Sequence, residues 1–390
     1  MFDQQQPGSG PLAGLMVADF TRVLAGPYAT MMLGDLGATV IKVESPLGDD
    51  TRTWKPPSLK DQSTYFLSIN RNKRSVLLDL KNSDDCLRAQ RLAKIADVFV
   101  ENFMPGTLDR YGLDYEQVAR DNPSIVYGSV TGFGSGKGQE LPGYDLVVQA
   151  VSGLMSITGP KDGPPYKSGV AIVDVVTSLH LTVAVLAALD YRDRTGSGQH
   201  VSVNLLGSAL SAMVNQSTSF LATGVSPSRM GNAHPSLFPY EPLKTKNGYL
   251  VVAIGNDAQF KRLCETLNAP HLAEDSRFRT NEKRVQNRVL LKPLIEQLLA
   301  GDSAANWSKI LTRSKIPCGP INSIAEGVSL AKDLGLDPIV RLTDADGTVV
   351  PSISSPLSFS KTPPTYRHAP PRQDADGDEI RDWLDSLGKD

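Results

Sequence analysis

The chain has 390 residues, 40% of them hydrophobic and 21% charged, and its 40 basic and 42 acidic residues leave a net charge of −2. This composition excludes a disordered or fibrous protein, and the length predicts two domains or one large domain with an insertion. The balanced charge provides no cationic field for binding nucleic acid or an anionic membrane, so neither is expected as a partner.

Residues 1–11 lack the features of a secretory signal and of an Arg-rich transit peptide, and we expect a frayed tail there. The cysteines, Cys86, Cys264 and Cys318, form no CxxC pair, which indicates neither a disulfide framework nor a zinc site. The histidines show no HExxH or i, i+4 pairing, so no metal is predicted. A reducing location is expected, the cytoplasm or, in a eukaryote, the mitochondrial matrix.

The first hundred residues alternate short β-rich runs with helical patterns, which is typical of a parallel sheet with crossover helices. Pro27 suits the first turn of the first helix, and Gly37 suits its C-terminal end. The pattern predicts strands at 15–20, 38–44, 75–80 and 97–102, and helices at 27–36 and 83–96.

A further strand at 125–130 leads into a glycine-rich loop at 132–138, followed by a helix at 145–155. The apolar run 170–189 is long enough to span a membrane. Its polar side chains would be costly in hydrocarbon, so it is interpreted as a buried strand that ends at Asp174 and continues as a buried helix to about Gly196.

The pattern at 201–221 predicts a second long helix, and after Gly224 the sequence changes to a β-hairpin with a turn at 246–248. Two amphipathic helices and a rigid loop are then predicted, at 259–267, 284–299 and 316–320. The last sixty or so residues return to strand-like runs and end in a polar tail.

These elements predict an α/β protein with a Rossmann-like parallel-sheet large domain, formed by both chain ends, and a smaller α+β domain between them. The predicted boundaries are 1–205 for the large domain, 206–224 for a linker helix, 225–325 for the small domain, and 326–390 for the return to the large domain and the tail.

General motifs leave the function open. The loop at 131–138 fails the spacing of a phosphate loop, because Thr131 replaces the first glycine and Gly138 replaces the magnesium-binding Ser or Thr. No GxGxxG follows the first strand, and no serine lies in a GxSxG turn. An ordinary nicotinamide site and a hydrolase triad are therefore disfavoured.

Several segments share an order and spacing: DFTRVLAGP at 19–27, GDLGATVIKVE at 34–44, NRNKRS at 70–75, ENFMPG at 101–106, GYD at 143–145, VSGLM at 151–155 and IPCGP at 316–320. Together they resemble the class III CoA-transferases, the family of the formyl-CoA, carnitine and succinyl-CoA dicarboxylate transferases. The resemblance covers almost the whole chain, and it implies an interlocked homodimer.

The resemblance implies that Asp174, after the Gly-Val-Ala-Ile-Val run at 169–173, is the nucleophile. An aspartate ionised at neutral pH needs no base to attack a thioester carbonyl. By resemblance it would form an acyl anhydride, then an aspartyl-CoA thioester, in a pocket that excludes water. The local sequence alone favours a helix N-cap, a role that is compatible with catalysis.

The resemblance also implies that CoA and acyl-CoA are substrates and that no cofactor is permanently bound. An arginine suits the CoA phosphates because its donors form a fixed fork. On local sequence Arg110 is equally explained as a solvated helix residue, and Leu78 and Phe103 as core residues. The family's CoA-binding positions correspond here to Arg22, Val23, Ala25, Leu78, Asn102, Phe103 and Arg110.

Tyr144 distinguishes two branches of the family, unless it is simply a core residue. The α-methylacyl-CoA racemases have a histidine there, whereas tyrosine, with a reference pKa of about 10, is a poor base at neutral pH. Transfer is therefore favoured over racemisation. A racemase-like epimerase and a non-catalytic CoA-binding subunit remain as alternatives.

Segments 48–54, 70–75 and 247–252 look most like the succinyl-CoA dicarboxylate branch, which implies a succinyl-CoA donor and a dicarboxylic acid acceptor. The remote carboxylate would need a cation, and Arg71, Arg52 and Lys167 are candidates, although each is also explained as a surface charge. In some members of the family a glycine-rich loop covers the site; the corresponding region here is 231–235, which contains His234 and departs from that glycine-rich pattern.

Overall fold

The computed structural model describes residues 9–388, so most of the predicted tail at 1–11 lies outside the described residues. In this range the strands are β1 (Met16–Asp19), β2 (Thr39–Glu44), β3 (Ser58–Leu59), β4 (Gln62–Ser63), β5 (Lys73–Leu77), β6 (Val98–Glu101), β7 (Val126–Thr131), β8 (Gln199–Asn204), β9 (Tyr240–Lys244), β10 (Tyr249–Ala253), β11 (Cys318–Pro320), β12 (Ile339–Thr343) and β13 (Val349–Ile353).

The α-helices of the same range are α1 (Ala25–Asp35), α2 (Thr64–Ile69), α3 (Ser83–Ile95), α4 (Tyr115–Asp121), α5 (Asp145–Val151), α6 (Leu154–Ile157), α7 (Ile172–Thr195), α8 (Leu205–Ala212), α9 (Val214–Thr223), α10 (Asp257–Thr266), α11 (His271–Glu274), α12 (Asn281–Gln286), α13 (Arg288–Leu299), α14 (Ala304–Arg313), α15 (Ile324–Asp333) and α16 (Gly377–Ser386).

A parallel sheet organises the first of two compact units. Among the described residues it has six strands in the order β5-β2-β1-β6-β7-β8, which is the doubly wound order of a Rossmann sheet. Successive strand residues point to opposite faces. Val17 packs in a cluster with α1 and α7, whereas Ala18 packs in a cluster with α3 and α16. The predicted α/β class with a parallel sheet is confirmed.

The first crossover helix, α1, spans Ala25–Asp35, so it begins two residues before the predicted start and ends one residue before the predicted end. Pro27 lies in its first turn, where backbone N–H groups have no intrahelical acceptor, so the missing N–H of proline costs no hydrogen bond. At the C-terminal end of α1 the Leu36 N–H donates to the Met32 carbonyl at 3.1 Å. The helix ends there because Gly37 adopts a φ of 107°, which is accessible to glycine.

The strand predicted to end at Asp174 was wrong. Residues 169–171 form no strand, and α7 begins at Ile172, so Asp174 lies in the first helical turn and is not the N-cap. The four consecutive β-branched or apolar residues before Asp174 favour a strand locally. In the folded protein, however, side chains four residues apart pack together onto the sheet, and this packing requires a helix. The buried members of this stripe are Val173, Thr177, Leu181 and Val185.

By length and composition α7 could cross a membrane, yet half of its most apolar window is buried inside the protein. Its buried side chains include the polar Thr177 and Ser178, and it packs against α1 and β7. This burial is typical of the central helix of a folded domain.

The single long helix predicted at 201–221 was also wrong. Residues 199–204 form β8, which pairs in parallel with β7, and only then does the chain become helical, in α8 and α9. The alternating side chains of the first segment suit a strand. Asn204 separates the two structures, because its side chain accepts from the Gly207 N–H and caps α8.

The second unit comprises Met155–Lys167 and Ser226–Leu336, and the first contains the other described residues. The bounds of the second unit therefore differ from the predicted range of 225–325. The segment 206–224, predicted to be a linker helix, forms two helices that belong to the first unit. The hairpin of β9 and β10 forms as predicted, and β11 joins it in an antiparallel sheet packed with helices. Part of the loop predicted at 316–320 is thus a strand.

The predicted polar tail contains an amphipathic helix, α16. Ile380 and Leu384, four residues apart, are fully buried in the cluster that contains Phe99. Arg74 on β5 also binds Asp376, with Nε 2.9 Å from Oδ1. The polar majority of the segment concealed a narrow apolar face, to which the partly buried Trp383 also contributes.

Candidate active site

A cavity of about 210 Å³ opens in the first unit where several sheet strands end. Its walls come from residues that follow β1 and β6, from the end of β7 and from the residue after β8, all at the carboxyl edge. Ligands of open parallel sheets bind at this edge. The lining includes Arg22, Val23, Ala25, Asn102, Phe103, Tyr144 and Asp174.

Asp174 contributes a buried carboxylate to this cavity. Its residue is 7% exposed, and within residues 9–388 its carboxylate has no hydrogen-bond or ion-pair partner. Burial, together with the negative charge of Asp145, raises its pKa to about 7. The carboxyl is therefore only partly ionised at neutral pH, which corrects the assumption of a fully ionised aspartate.

Asp145, at the start of α5, holds the first turn of α7. One carboxylate oxygen accepts the N–H groups of Val173 and Asp174, at 2.8 and 3.3 Å. The other accepts from Gln149 Nε2 at 2.6 Å, and Gln149 Oε1 in turn accepts from the Ser168 N–H at 2.8 Å. Because Ala171 provides no side-chain cap, Asp145 satisfies donors that the helix itself leaves free.

Two further side chains near Asp174 had no signal in the sequence. Ser178 lies one turn later and donates to the carbonyl oxygen of Ala25 at 2.7 Å, which links α7 to the start of α1. Tyr65 on α2 is half-buried, and burial together with the charges of Asp174, Asp145 and Asp49 raises its pKa to about 12. Its phenol therefore stays protonated at neutral pH.

The turn after β1 presents Arg22 and Val23 to the cavity in a strained conformation. Val23 has a φ of 69°, a region that β-branched residues rarely occupy. Asn102 holds the turn by accepting from the Arg22 N–H at 2.9 Å and donating to the Arg22 carbonyl at 2.7 Å. The Val23 N–H donates to Asp49 at 3.3 Å.

Fully buried ion pairs support this turn from below. Lys42 binds Asp49 and Lys73 binds Asp19, each with a nitrogen–oxygen distance of 2.9 Å. Burial disfavours the charge on Asp19, but the two lysines outweigh it and lower its pKa to about 2. Burial lowers the pKa of Lys73 to about 8. Removal of one partner would leave the other as an uncompensated buried charge.

Five of the predicted CoA-binding residues line the cavity, namely Arg22, Val23, Ala25, Asn102 and Phe103. The guanidinium of Arg22 lies 5.5 Å from the Phe103 ring centre. The other two residues are not brought to the cavity. Leu78 is buried in the core, as its alternative explanation proposed, and Arg110 is exposed, with its guanidinium 4.8 Å from the Tyr111 ring centre.

Arg71 does not lie at this cavity. It is 4% exposed and binds both carboxylate oxygens of Asp35, at 2.9 and 2.6 Å, while its remaining nitrogen donates to Ser352 and to the Ile353 carbonyl. These bonds use four of the five N–H donors of the guanidinium, and Asp35 neutralises its charge away from the cavity. The hypothesis that Arg71 binds the remote carboxylate is therefore corrected to a structural role.

Arg52 is also engaged elsewhere. It forms a bidentate pair with Glu44, at 2.7 and 2.6 Å, donates to the Pro371 carbonyl and lies 3.7 Å from the Phe66 ring centre. Arg52 does not line the cavity, and Glu44 neutralises its charge, so the substrate hypothesis for Arg52 is corrected to a structural role.

Three predicted substrate residues have different surroundings. Tyr144 is 55% exposed and borders the cavity just before α5, so it is not a core residue. Lys167 and His234 belong to the second unit, and their assignments stay predictions. The His234 ring accepts from the Ser236 N–H at 3.0 Å, and burial and Arg288 lower its pKa. Among residues 9–388 no three His, Cys, Asp or Glu side chains are grouped as metal ligands.

Comparisons with known proteins identify the family of this chain. Residues 12–377 match the model of CoA-transferase family III. The chain is 42% identical over 375 residues to the succinate–glutarate CoA-transferase of Agrobacterium fabrum, covering 93% of this chain and 92% of the relative. It is 44% identical over 363 residues to the succinyl-CoA:glutarate CoA-transferase of Mus musculus, covering 91% and 83%.

A crystal structure of a CAIB/BAIF family protein from Brucella suis superimposes with a TM-score of 0.85 at 40% identity, covering 96% of this chain and all of the other. The resemblance inferred from the sequence segments is thereby confirmed. The chain belongs to CoA-transferase family III and is a CoA-transferase, an enzyme whose substrates are CoA thioesters.

Proposed function

We propose that this enzyme moves CoA from succinyl-CoA to a dicarboxylic acid such as glutarate, with Asp174 as the nucleophile. The main support is the Asp174 carboxylate, which has no partner within residues 9–388 and lies in a cavity that is also lined by predicted CoA-binding residues. The names of the relatives support the substrates, because they include succinyl-CoA:glutarate and, at 36% identity, succinyl-CoA:mesaconate CoA-transferases.

The first half-reaction transfers CoA to the enzyme. An oxygen of ionised Asp174 attacks the thioester carbonyl of succinyl-CoA, the carbon–sulfur bond breaks, and CoA leaves as a thiolate. The thiolate then attacks the aspartyl carbonyl of the resulting anhydride and releases succinate. The enzyme now carries an aspartyl-CoA thioester, and no proton has been gained or lost.

The second half-reaction repeats these steps with the acceptor. A glutarate carboxylate attacks the aspartyl thioester and displaces CoA thiolate, which then attacks the glutaryl carbonyl of the second anhydride. Glutaryl-CoA leaves and the Asp174 carboxylate is regenerated. Both anhydrides would hydrolyse in water, so the cavity must be dry and CoA must stay bound between steps.

Arg22 and Phe103 are proposed to hold CoA during these steps. The Arg22 side chain is about half exposed at the rim, where its donors can bind phosphate, and the Phe103 ring beside it offers an apolar surface. We also propose a homodimer in the cytoplasm, on the family resemblance and the cysteine pattern described above.

The test combines activity with trapping of the intermediate. Asp174→Ala should bind CoA with unchanged affinity but lose transfer from succinyl-CoA to glutarate, because no anhydride can form. Wild type incubated with succinyl-CoA and hydroxylamine should show a modification at Asp174 by mass spectrometry. Asp190→Ala, an exposed aspartate near the other end of α7, is the matched control and should retain transfer.

Retained transfer in Asp174→Ala would refute the proposed nucleophile. A racemase would instead exchange deuterium at the α carbon of an acyl-CoA without needing an acceptor. A non-catalytic subunit would bind CoA and remain unmodified.

A further inference from the structure

We propose, building on Asp174 as the nucleophile, that Asp145 is a positioning residue whose charge favours the acylated forms of Asp174. It would act in two ways. Its hydrogen bonds fix the backbone of α7 at the nucleophile, and its negative charge disfavours the free Asp174 carboxylate relative to the uncharged anhydride and thioester.

The positioning role follows from the hydrogen bonds. Asp145 Oδ1 accepts from the N–H of Asp174 itself and from that of Val173, so it holds the nucleophile's own peptide group. The carboxylate cannot rotate away, because its second oxygen accepts from Gln149, which is fully buried and is itself held by the Ser168 N–H. Charged acceptors form stronger bonds to backbone N–H groups than neutral ones do.

The electrostatic role follows from the surroundings of Asp174. No described cation pairs with its carboxylate, and Arg22 at the cavity wall already pairs with Asp50 at 3.5 Å. Asp145 is the neighbouring charge that, after burial, raises the pKa of Asp174. The titratable or charged groups around the nucleophile are Asp145 on α5, Tyr65 on α2, Tyr144 before α5, and Arg22 and Asp50 on the cavity wall.

Acylation removes the repulsion between the two carboxylates. The exchange of succinyl-CoA and free enzyme for succinate and aspartyl-CoA enzyme replaces a buried anion at position 174 with a neutral thioester. Asp145 keeps its charge and its hydrogen bonds throughout. The repulsion is therefore present only in the free enzyme, so it raises the equilibrium constant of this half-reaction.

A double variant that exchanges the side-chain types at positions 145 and 149 tests the effect of the charge separately from that of the hydrogen bonds. In the double variant Asp145→Asn/Gln149→Glu, the amide at position 145 can still accept from both N–H groups and can donate to the carboxylate at position 149. That carboxylate can also accept from the Ser168 N–H. Each hydrogen bond thus persists, while the negative charge lies one side chain farther from Asp174.

The measurement is the half-reaction equilibrium at pH 8, with intact-protein mass spectrometry of the full-length enzyme in mixtures of succinyl-CoA and succinate without acceptor. We expect the ratio of CoA-bound to free enzyme to fall several-fold in the double variant. We also expect the acid limb of the pH profile of kcat/KM to move to lower pH. A purely structural change would alter the rate but not this equilibrium.

Controls keep the outcomes distinct. Thermal unfolding and CoA binding report whether the double variant folds, and if it does not, Asp145→Asn alone is measured in the same way. An unchanged ratio together with an unchanged acid limb overturns the role of Asp145, even if Asp174→Ala is inactive. If Asp174→Ala retains transfer or wild type forms no adduct, the proposed function fails instead.

Discussion

At the scale of single residues, the site contains a buried carboxylate that has no counterion among the described residues. The Asp174 carboxylate lacks a partner among the described residues, whereas Asp19, which is fully buried, is paired with Lys73. Burial therefore opposes ionisation at both residues, but a compensating lysine is present only at Asp19. Uncompensated groups of this kind lower stability and are typical of functional sites.

Asp174→Asn should accordingly stabilise the protein at pH 8. The folded pKa of about 7 exceeds the ordinary aspartate pKa of 3.8, so the folded state holds its proton over a pH range where the unfolded state has lost it. The contribution of Asp174 to stability therefore falls as pH rises from about 4 to 7 and is constant above. By linkage the difference reaches roughly 4 kcal/mol.

Urea unfolding of both proteins between pH 4 and pH 8 measures this effect. The gain of Asp174→Asn over wild type should grow with pH and level off above 7, whereas Asp190→Asn should show no such trend. A gain that is the same at pH 4 and pH 8 would contradict the raised pKa.

At the scale of secondary-structure elements, side chains from distant segments determine how helices begin and how strands are joined. Asp145 on α5 caps α7, and Arg71 joins the end of α1 to β13 through Asp35 and the Ile353 carbonyl. Burial raises the pKa of Asp35 even beside this arginine. The Asp35–Arg71 pair therefore affects stability mainly because removal of either residue alone would leave the other as an uncompensated buried charge.

Arg71→Met should destabilise the protein by about 3–5 kcal/mol, because it leaves the Asp35 carboxylate buried and uncompensated. The KM for glutarate should stay close to that of wild type, since Arg71 does not line the cavity. Thermal unfolding and steady-state kinetics provide the two measurements.

The double variant Asp35→Asn/Arg71→Met is the control, and it should recover much of the lost stability because no buried charge remains. A large rise in KM with unchanged stability would restore the original hypothesis that Arg71 binds substrate.

At the scale of the whole molecule, the long helices of the first unit expose apolar side chains. Val183 on α7 is 66% exposed and Leu221 on α9 is 80% exposed, although both helices also contribute to a folded unit. Single exposed apolar side chains also occur on monomers, but the homodimer proposed from the family resemblance would cover side chains of this kind.

Light scattering after size exclusion should therefore give twice the chain mass of 42.0 kDa. Val183→Glu should shift the protein towards the monomer, because a carboxylate would be desolvated at the interface. Lys261→Glu, an exposed position in the second unit, serves as the comparison and should leave the mass unchanged. A wild-type monomer with full activity would contradict the proposal.

Local sequence patterns determined the class of fold and much of the site. Alternating strand and helix patterns predicted the parallel sheet, and Pro27 and Gly37 predicted the ends of α1, because these effects act within a few residues. The segments that resemble the family identified Arg22, Asn102 and Asp174, which the structure brings to one cavity.

Only the tertiary structure decided the remainder. The β-branched run before Asp174 favours a strand locally, and its packing against the sheet selected the helix instead. Asp145 caps a helix 28 residues away, and Arg71 binds a carboxylate 36 residues away. Hydrogen-bond partners and buried charges depend on which distant segments meet, and no local pattern contains that information.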